Sequence, residues 1–133
     1  MILKFRAWDK NTNDMVDVKT IDLEKDESIG CIVDYNGINL DMSECVLMQS
    51  TGLKDTNGVE SWEGNYLTKE GCWPFFIKWI ENEGCLMAVP VNSVQKTNWK
   101  PVSVKELLDK GYVNNSNIYE NPELLESVQN ERF

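Results

Sequence analysis

Four cysteines, 22 carboxylates and no histidine bound the chemistry open to this 133-residue chain. General acid–base catalysis draws most often on histidine, so Ser-His-Asp and Cys-His schemes are excluded. Cys31, Cys45, Cys72 and Cys85 form no C-x-x-C pair. Structural zinc sites usually need closely spaced ligands, so zinc is not expected. Neither G-x-x-x-x-G-K-S/T nor G-x-G-x-x-G occurs, which removes the two commonest phosphate-cradling loops. Carboxylate pairs remain: Asp9 with Asp14, and Glu60 with Glu63. Both pairs lie in turn-rich stretches, where a wet, solvated face is the expectation. Asp9, Asn11, Asn13 and Asp14 superficially suggest a calcium loop. They lack its later glycine and its terminal bidentate glutamate, so a turn is expected. No catalytic, cofactor-binding or metal residue is assigned. An enzyme of unfamiliar type, working through carboxylates or a metal, ranks last among the readings.

The residues that remain to do work are aromatic. Five tryptophans are many for this length, and tryptophan is rarely left in solvent. Trp73, Phe75, Ile77 and Trp79 fall on one face of an extended segment, with Phe76 and Lys78 on the other. Core packing accounts for them, with an apolar face for self-association as the alternative. Trp8, Trp62 and Trp99 have more polar neighbours. They are the candidate interface anchors, because tryptophan is enriched at binding hot spots.

These side chains sit in an acidic chain of net charge −9. Residues 1–66 carry 6 basic and 13 acidic groups, net −7; residues 67–133 carry 7 and 9, net −2. Nucleic-acid affinity comes largely from Lys and Arg at phosphates, and no basic stripe is present. Direct nucleic-acid binding and anionic membranes are therefore disfavoured. Solubility is the plain reading of the charge. An acidic surface that mimics nucleic acid and inhibits a host nucleic-acid-binding protein is the sharper one. The start of the chain shows no signal-peptide pattern and no run long enough to span a bilayer. A cytoplasmic protein with reduced thiols is expected, each cysteine serving as a small buried hydrophobe.

The elements that position these residues are mostly strands. Leu3, Phe5 and Ala7 alternate with Lys4, Arg6 and Trp8, the period of a half-buried strand. The turn formers Asp9 to Asp14 join it to Met15–Val18 as a hairpin. Asn36-Gly37 signals a tight hairpin between Ile32–Tyr35 and Ile38–Leu40. Glu44–Gln49 reads as a strand, followed by a polar, glycine-punctuated stretch, Ser50 to Gly58, where Asn57-Gly58 repeats the turn signal. Cys72–Ile80 and Cys85–Val91 form the central hairpin, with Pro74 near a strand start or edge. Ser103 to Glu106 is a capping box for a helix of about two turns that Gly111 ends. Asn114 to Asn117 is read as a polar connection. Asn121-Pro122 opens a final helix through Val128. The expectation is a mainly β fold. Its antiparallel strands form a small barrel-like or sandwich core, with one or two short C-terminal helices. One domain spans 1–128, with its best candidate seam near 50–60 and a frayed tail at 129–133. No internal repeat is evident.

Three segments together resemble the YopX-like proteins of bacteriophages and prophages. They are Lys4–Asp9, Leu47–Gly58 continuing into Trp62-Glu63-Gly64, and Asn117–Leu125. They occur in the family's order and span nearly the whole chain. Where the family commonly reads Glu-Gly-Asp, this chain has Glu63-Gly64-Asn65. The resemblance implies a mainly β fold and a phage or prophage origin, and supplies no reaction. The functional expectation is a non-enzymatic accessory protein that binds a protein partner or self-associates. Its candidate contact residues are Trp8, Trp62, Glu63, Asn65 and Trp99.

Overall fold

In the computed structural model, which describes residues 3–91 and 100–122, the chain divides into two units, Met1–Ser50 and Thr51–Phe133. In the first, β1 (Phe5–Asp9) and β2 (Asp14–Leu23) pair antiparallel with Ala7 opposite Val16. Asn13, at φ 58°, closes the loop between them with an N–H to the Asp9 carbonyl. β3 (Ile29–Asp34) and β4 (Asn39–Asp41) form the Asn36-Gly37 hairpin, with Ile32 opposite Leu40. β5 (Cys45–Lys54) returns along β1. The strand order is β4-β3-β2-β1-β5. Ala7, Ile32, Leu40 and Cys45 are buried together, with Val16, Val18 and Leu47 against them.

β5 is longer than its sequence suggests and runs through Ser50–Lys54 across the division. Gly52, at φ 78°, sits inside it, and the Leu53 N–H turns to Thr51 Oγ1 at 3.1 Å. A glycine in the left-handed region lets a strand bend and continue, which is why the polar punctuation is not a break. In the sheet order β6 (Glu60–Trp62) follows β5, and the Thr51 hydroxyl donates to the Ser61 carbonyl at 2.8 Å.

The second unit has its own antiparallel sheet of β7 (Asn65–Thr68), β8 (Phe75–Ile80), β9 (Cys85–Pro90) and β10 (Val113–Asn117), in the order β10-β7-β8-β9. Pro74 immediately precedes β8, where no ladder donor is lost. α1 (Val104–Asp109) is capped by Ser103 Oγ, which accepts the Glu106 N–H at 3.3 Å. Gly111, at φ 98°, follows it. The core joins Leu67, Ile77, Ala88, Val104, Leu107, Leu108 and Tyr112. Phe75 meets the Tyr112 ring edge-on at 5.6 Å.

The fold is mainly β, as expected, and neither sheet closes into a barrel among the described residues. Three expectations change. Asn114–Asn117 lies in a strand, β10, pairing with β7 through a register shift. Of the four cysteines only Cys45 is buried and Cys31 is half-buried; Cys72 and Cys85 are exposed. Cys72 sits in the turn before β8, and Cys85 opens β9 beside the hairpin turn. Trp79 shares strand parity with buried Ile77 but is 45% exposed, because it lies one residue from the end of β8. The final helix expected from Asn121-Pro122 to Val128 falls mostly outside the described residues.

Candidate partner-binding site

The Trp62-Glu63-Gly64-Asn65 turn brings three of the candidate residues together in the second unit. Asn65 Oδ1 accepts the Trp62 N–H at 2.6 Å, and its Nδ2 donates to the Ser116 carbonyl at 3.0 Å. A carboxylate could accept the first bond but could not donate the second. Asparagine at this position therefore fastens the turn to β10. Gly64, at φ 90°, donates to the Ile77 carbonyl and accepts the Ile118 N–H, so the turn is clamped from both sides. Trp62 is only 8% exposed and Asn65 6%; Glu63 is half-buried. Trp8 is half-buried on β1, opposite Met15 and Val46 in the first unit. Trp99 lies outside the described residues.

A second amide completes the arrangement. Asn117 is 2% exposed, and its Oδ1 accepts the N–H groups of Tyr119 and Glu120 at 2.9 and 2.8 Å. The Tyr66 hydroxyl donates to the Asn121 carbonyl at 3.2 Å, and the Ser116 hydroxyl to Asn121 Oδ1. Burial pushes the Tyr119 phenol up, and the Glu63 charge adds to it. The Tyr119 hydroxyl therefore stays protonated and able to donate. Amides do not titrate, so the Asn65 and Asn117 side chains hold backbone and take no part in proton transfer.

Of the proposed carboxylate pairs, Asp9 and Asp14 stand opposite each other at the end of the β1–β2 ladder, and Glu60 opens β6 while Glu63 lies in the turn after it. Asp9 is buried, and its Oδ1 accepts the Asn11 N–H at 2.9 Å, while Asp14 is exposed. Its buried position departs from the wet face expected for it, because the turn folds its own amide onto the carboxylate. Among the described residues no group of three metal-ligating side chains converges.

Two carboxylates that sequence reasoning passed over hold matching loops. Asp34-Tyr35-Asn36-Gly37-Ile38 and Asp55-Thr56-Asn57-Gly58-Val59 share the spacing Asp-x-Asn-Gly-aliphatic. Asp34 Oδ1 accepts the N–H of Asn36 at 2.8 Å and of Ile38 at 2.9 Å. Asp55 Oδ1 accepts the N–H of Asn57 at 2.9 Å and of Val59 at 3.0 Å. Gly37 and Gly58 take φ of 82° and 80°. Both aspartates are more than nine-tenths buried. The signal was present in the repeated Asn-Gly, two residues after an aspartate each time. The loops part at the other oxygen. Asp55 Oδ2 accepts both the backbone N–H and the Nδ2 of Asn114, at 2.9 and 3.1 Å. Burial pushes the Asp55 carboxyl up, but the N–H groups of Asn114, Val59 and Asn57 outweigh it and hold it below the ordinary range. Asp34 Oδ2 accepts no hydrogen bond from any described residue.

Comparison with known proteins places this geometry in a family. The family model described as YopX protein matches residues 4–126, nearly the whole chain. The chain belongs to the YopX family. No curated protein matches it. The crystal structure of protein EF1440 from Enterococcus faecalis is similar, with a TM-score of 0.68 and 28% identity, covering 94% of this chain and 99% of that one.

Proposed function

As a member of the YopX family, this chain, we propose, is a phage or prophage accessory protein that works by protein contact, without catalysis, in the cytoplasm of the bacterial host. The observation that carries this reading is how the buried polar groups of its motifs are used. Asp55, Asn65 and Asn117 each spend a side-chain oxygen on backbone N–H groups, and Asp55 and Asn117 also bond the side chains of Asn114 and Glu120. Groups committed in this way hold a surface in shape and are not available to move protons. In the second unit the Asp55 loop presents Val59 in the open, and Trp79 is exposed on β8; in the first unit Tyr35 and Ile38 are exposed. Exposed aromatics of this kind suit contact with another protein surface. No described helix is long and apolar enough to cross a membrane.

Self-association is the nearest form of such contact. Light scattering at low micromolar concentration is expected to give a mass above that of one 15.3 kDa chain. A strictly monomeric mass removes the self-association half of the reading.

A second reading, contact with a basic host protein, draws on the charge of the first unit. Residues 1–50 hold 5 basic and 10 acidic residues, net −5. Pull-down from host lysate at low and high salt tests it, because contacts between exposed charges weaken with ionic strength. Capture that ignores salt removes it.

A further inference from the structure

We infer that the first unit carries a receptor for an arginine side chain of a protein partner, centred on Asp34 Oδ2. The inference rests on the contact-module reading above and names the chemistry of one contact. Asp34 lines a notch of about 240 Å³ between the start of β2 and the β3–β4 turn, together with Met15, Val16, Asp17, Tyr35 and Asn36. Asp34 is 6% exposed, and its Oδ1 is fixed by two backbone N–H groups. The carboxylate cannot turn away without breaking both. Its second oxygen has no donor among the described residues.

The molecule itself shows what such an oxygen takes. In the matching loop, Asp55 Oδ2 receives a fork of two N–H donors, the backbone N–H and side-chain amide of Asn114. A guanidinium offers the same fork of parallel N–H donors and adds a positive charge. The notch supplies the rest. Asp17 is exposed beside it as a second carboxylate. Tyr35, 69% exposed, offers a ring face on which a guanidinium stacks. Met15 is half-buried and gives apolar cover for the methylene stem. The net charge of −5 over residues 1–50 draws a basic side chain toward the unit. Lysine has the charge without the planar fork, so arginine is the better occupant.

The test is titration of the full chain with the blocked tripeptide acetyl-Gly-Arg-Gly-amide, followed by amide NMR. Its citrulline counterpart, equal in shape but uncharged, is the control. The expected result is saturable shifts at Asp17, Tyr35, Asn36 and Ile38 with the arginine peptide and none with citrulline. Asp34→Asn keeps an oxygen for the two backbone N–H groups and removes the charge. It is expected to weaken binding about tenfold, the loss of one charge-assisted hydrogen bond. Asp26→Asn removes an equal charge from an exposed turn elsewhere in the unit. It is expected to change affinity less than about twofold, as screened surface charges do. Tyr35→Ala, at an exposed position, is expected to cost about threefold, and it decides the matter if Asp34→Asn does not fold. Equal shifts with citrulline, equal losses from Asp26→Asn and Asp34→Asn, or shifts confined to other residues overturn the inference. Self-association that persists while the arginine peptide fails overturns this site alone. Failure of both takes the contact-module reading with it.

Discussion

At Asp55 the second carboxylate oxygen receives two N–H groups from Asn114, whereas at Asp34, in a loop of the same five-residue pattern, that oxygen receives none from the described residues. The first oxygen behaves identically in both loops. Its donors come from two and four residues ahead, so sequence spacing alone fixes it. The second oxygen depends on what the rest of the unit brings near. In the second unit that is β10, whose Asn114 lies 59 positions along the chain from Asp55. One aspartate thus acts as a long-range tie, and the other closes a hairpin and leaves an acceptor available. A buried carboxylate can serve stability or recognition with no change in its local loop.

The largest expected effect that sharpens this contrast is Asp55→Ala. It strands the N–H groups of Asn57, Val59 and Asn114 together. Urea unfolding is expected to show a loss of about 3 kcal/mol, the scale of several buried donors left without acceptors. A loss below about 1 kcal/mol would remove the long-range tie from the account. Asn114→Ala keeps the backbone donor and deletes only the amide, which also donates to the Val59 carbonyl at 3.1 Å. Its expected cost is about 1 kcal/mol. Combined with Asp55→Ala it should be non-additive by about 0.5 kcal/mol or more, since the two side chains touch.

Acid should act in the same direction. The folded Asp55 carboxyl lies below the ordinary value, so it releases its proton more readily folded than unfolded. The stability it contributes is present above the unfolded value, about 3.9, and is lost as pH falls below it. Urea unfolding from pH 6 down to pH 3 is expected to show this loss, and Asp55→Asn is expected to flatten it. A profile equally steep in the variant would assign the acid sensitivity elsewhere. Smaller again are Gly37→Ala and Gly58→Ala. An added Cβ meets nothing within 4 Å at either site, so only the left-handed backbone matters. The expected cost is about 1 kcal/mol at each, alike in the two loops. Unequal costs would mean that the loops are not equivalent even locally.

Much of the fold was legible because its signals are local. Asn36-Gly37 marked a real hairpin, and the Ser103 cap and Gly111 bracket α1. The short strands β6 and β7, β10 and the end of β5 were not read as strands, and the last two escaped for one physical reason. β10 reads as polar because Asn114 and Asn117 face loops and use their amides internally. The end of β5 reads as punctuation because Gly52 bends a strand that continues. In both, partners distant in sequence satisfy groups that look like solvent-facing loop. The site was legible in part. Trp62, Glu63 and Asn65 do share one turn, yet the need for an amide at 65 appears only once the Ser116 carbonyl is in place. The Asp34–Asp55 correspondence was readable as a spacing, but the difference between their second oxygens was not, because it lies in tertiary contacts.

The most direct test of that difference is urea unfolding of Asp34→Asn and Asp55→Asn side by side at pH 7. Each asparagine keeps an oxygen for its own loop and places an NH₂ where the second oxygen was. At Asp55 that NH₂ confronts the two donors of Asn114. At Asp34 it meets no described donor. A loss of about 2 kcal/mol is expected for Asp55→Asn and less than about 0.5 kcal/mol for Asp34→Asn. Equal losses in the two variants would contradict this expectation.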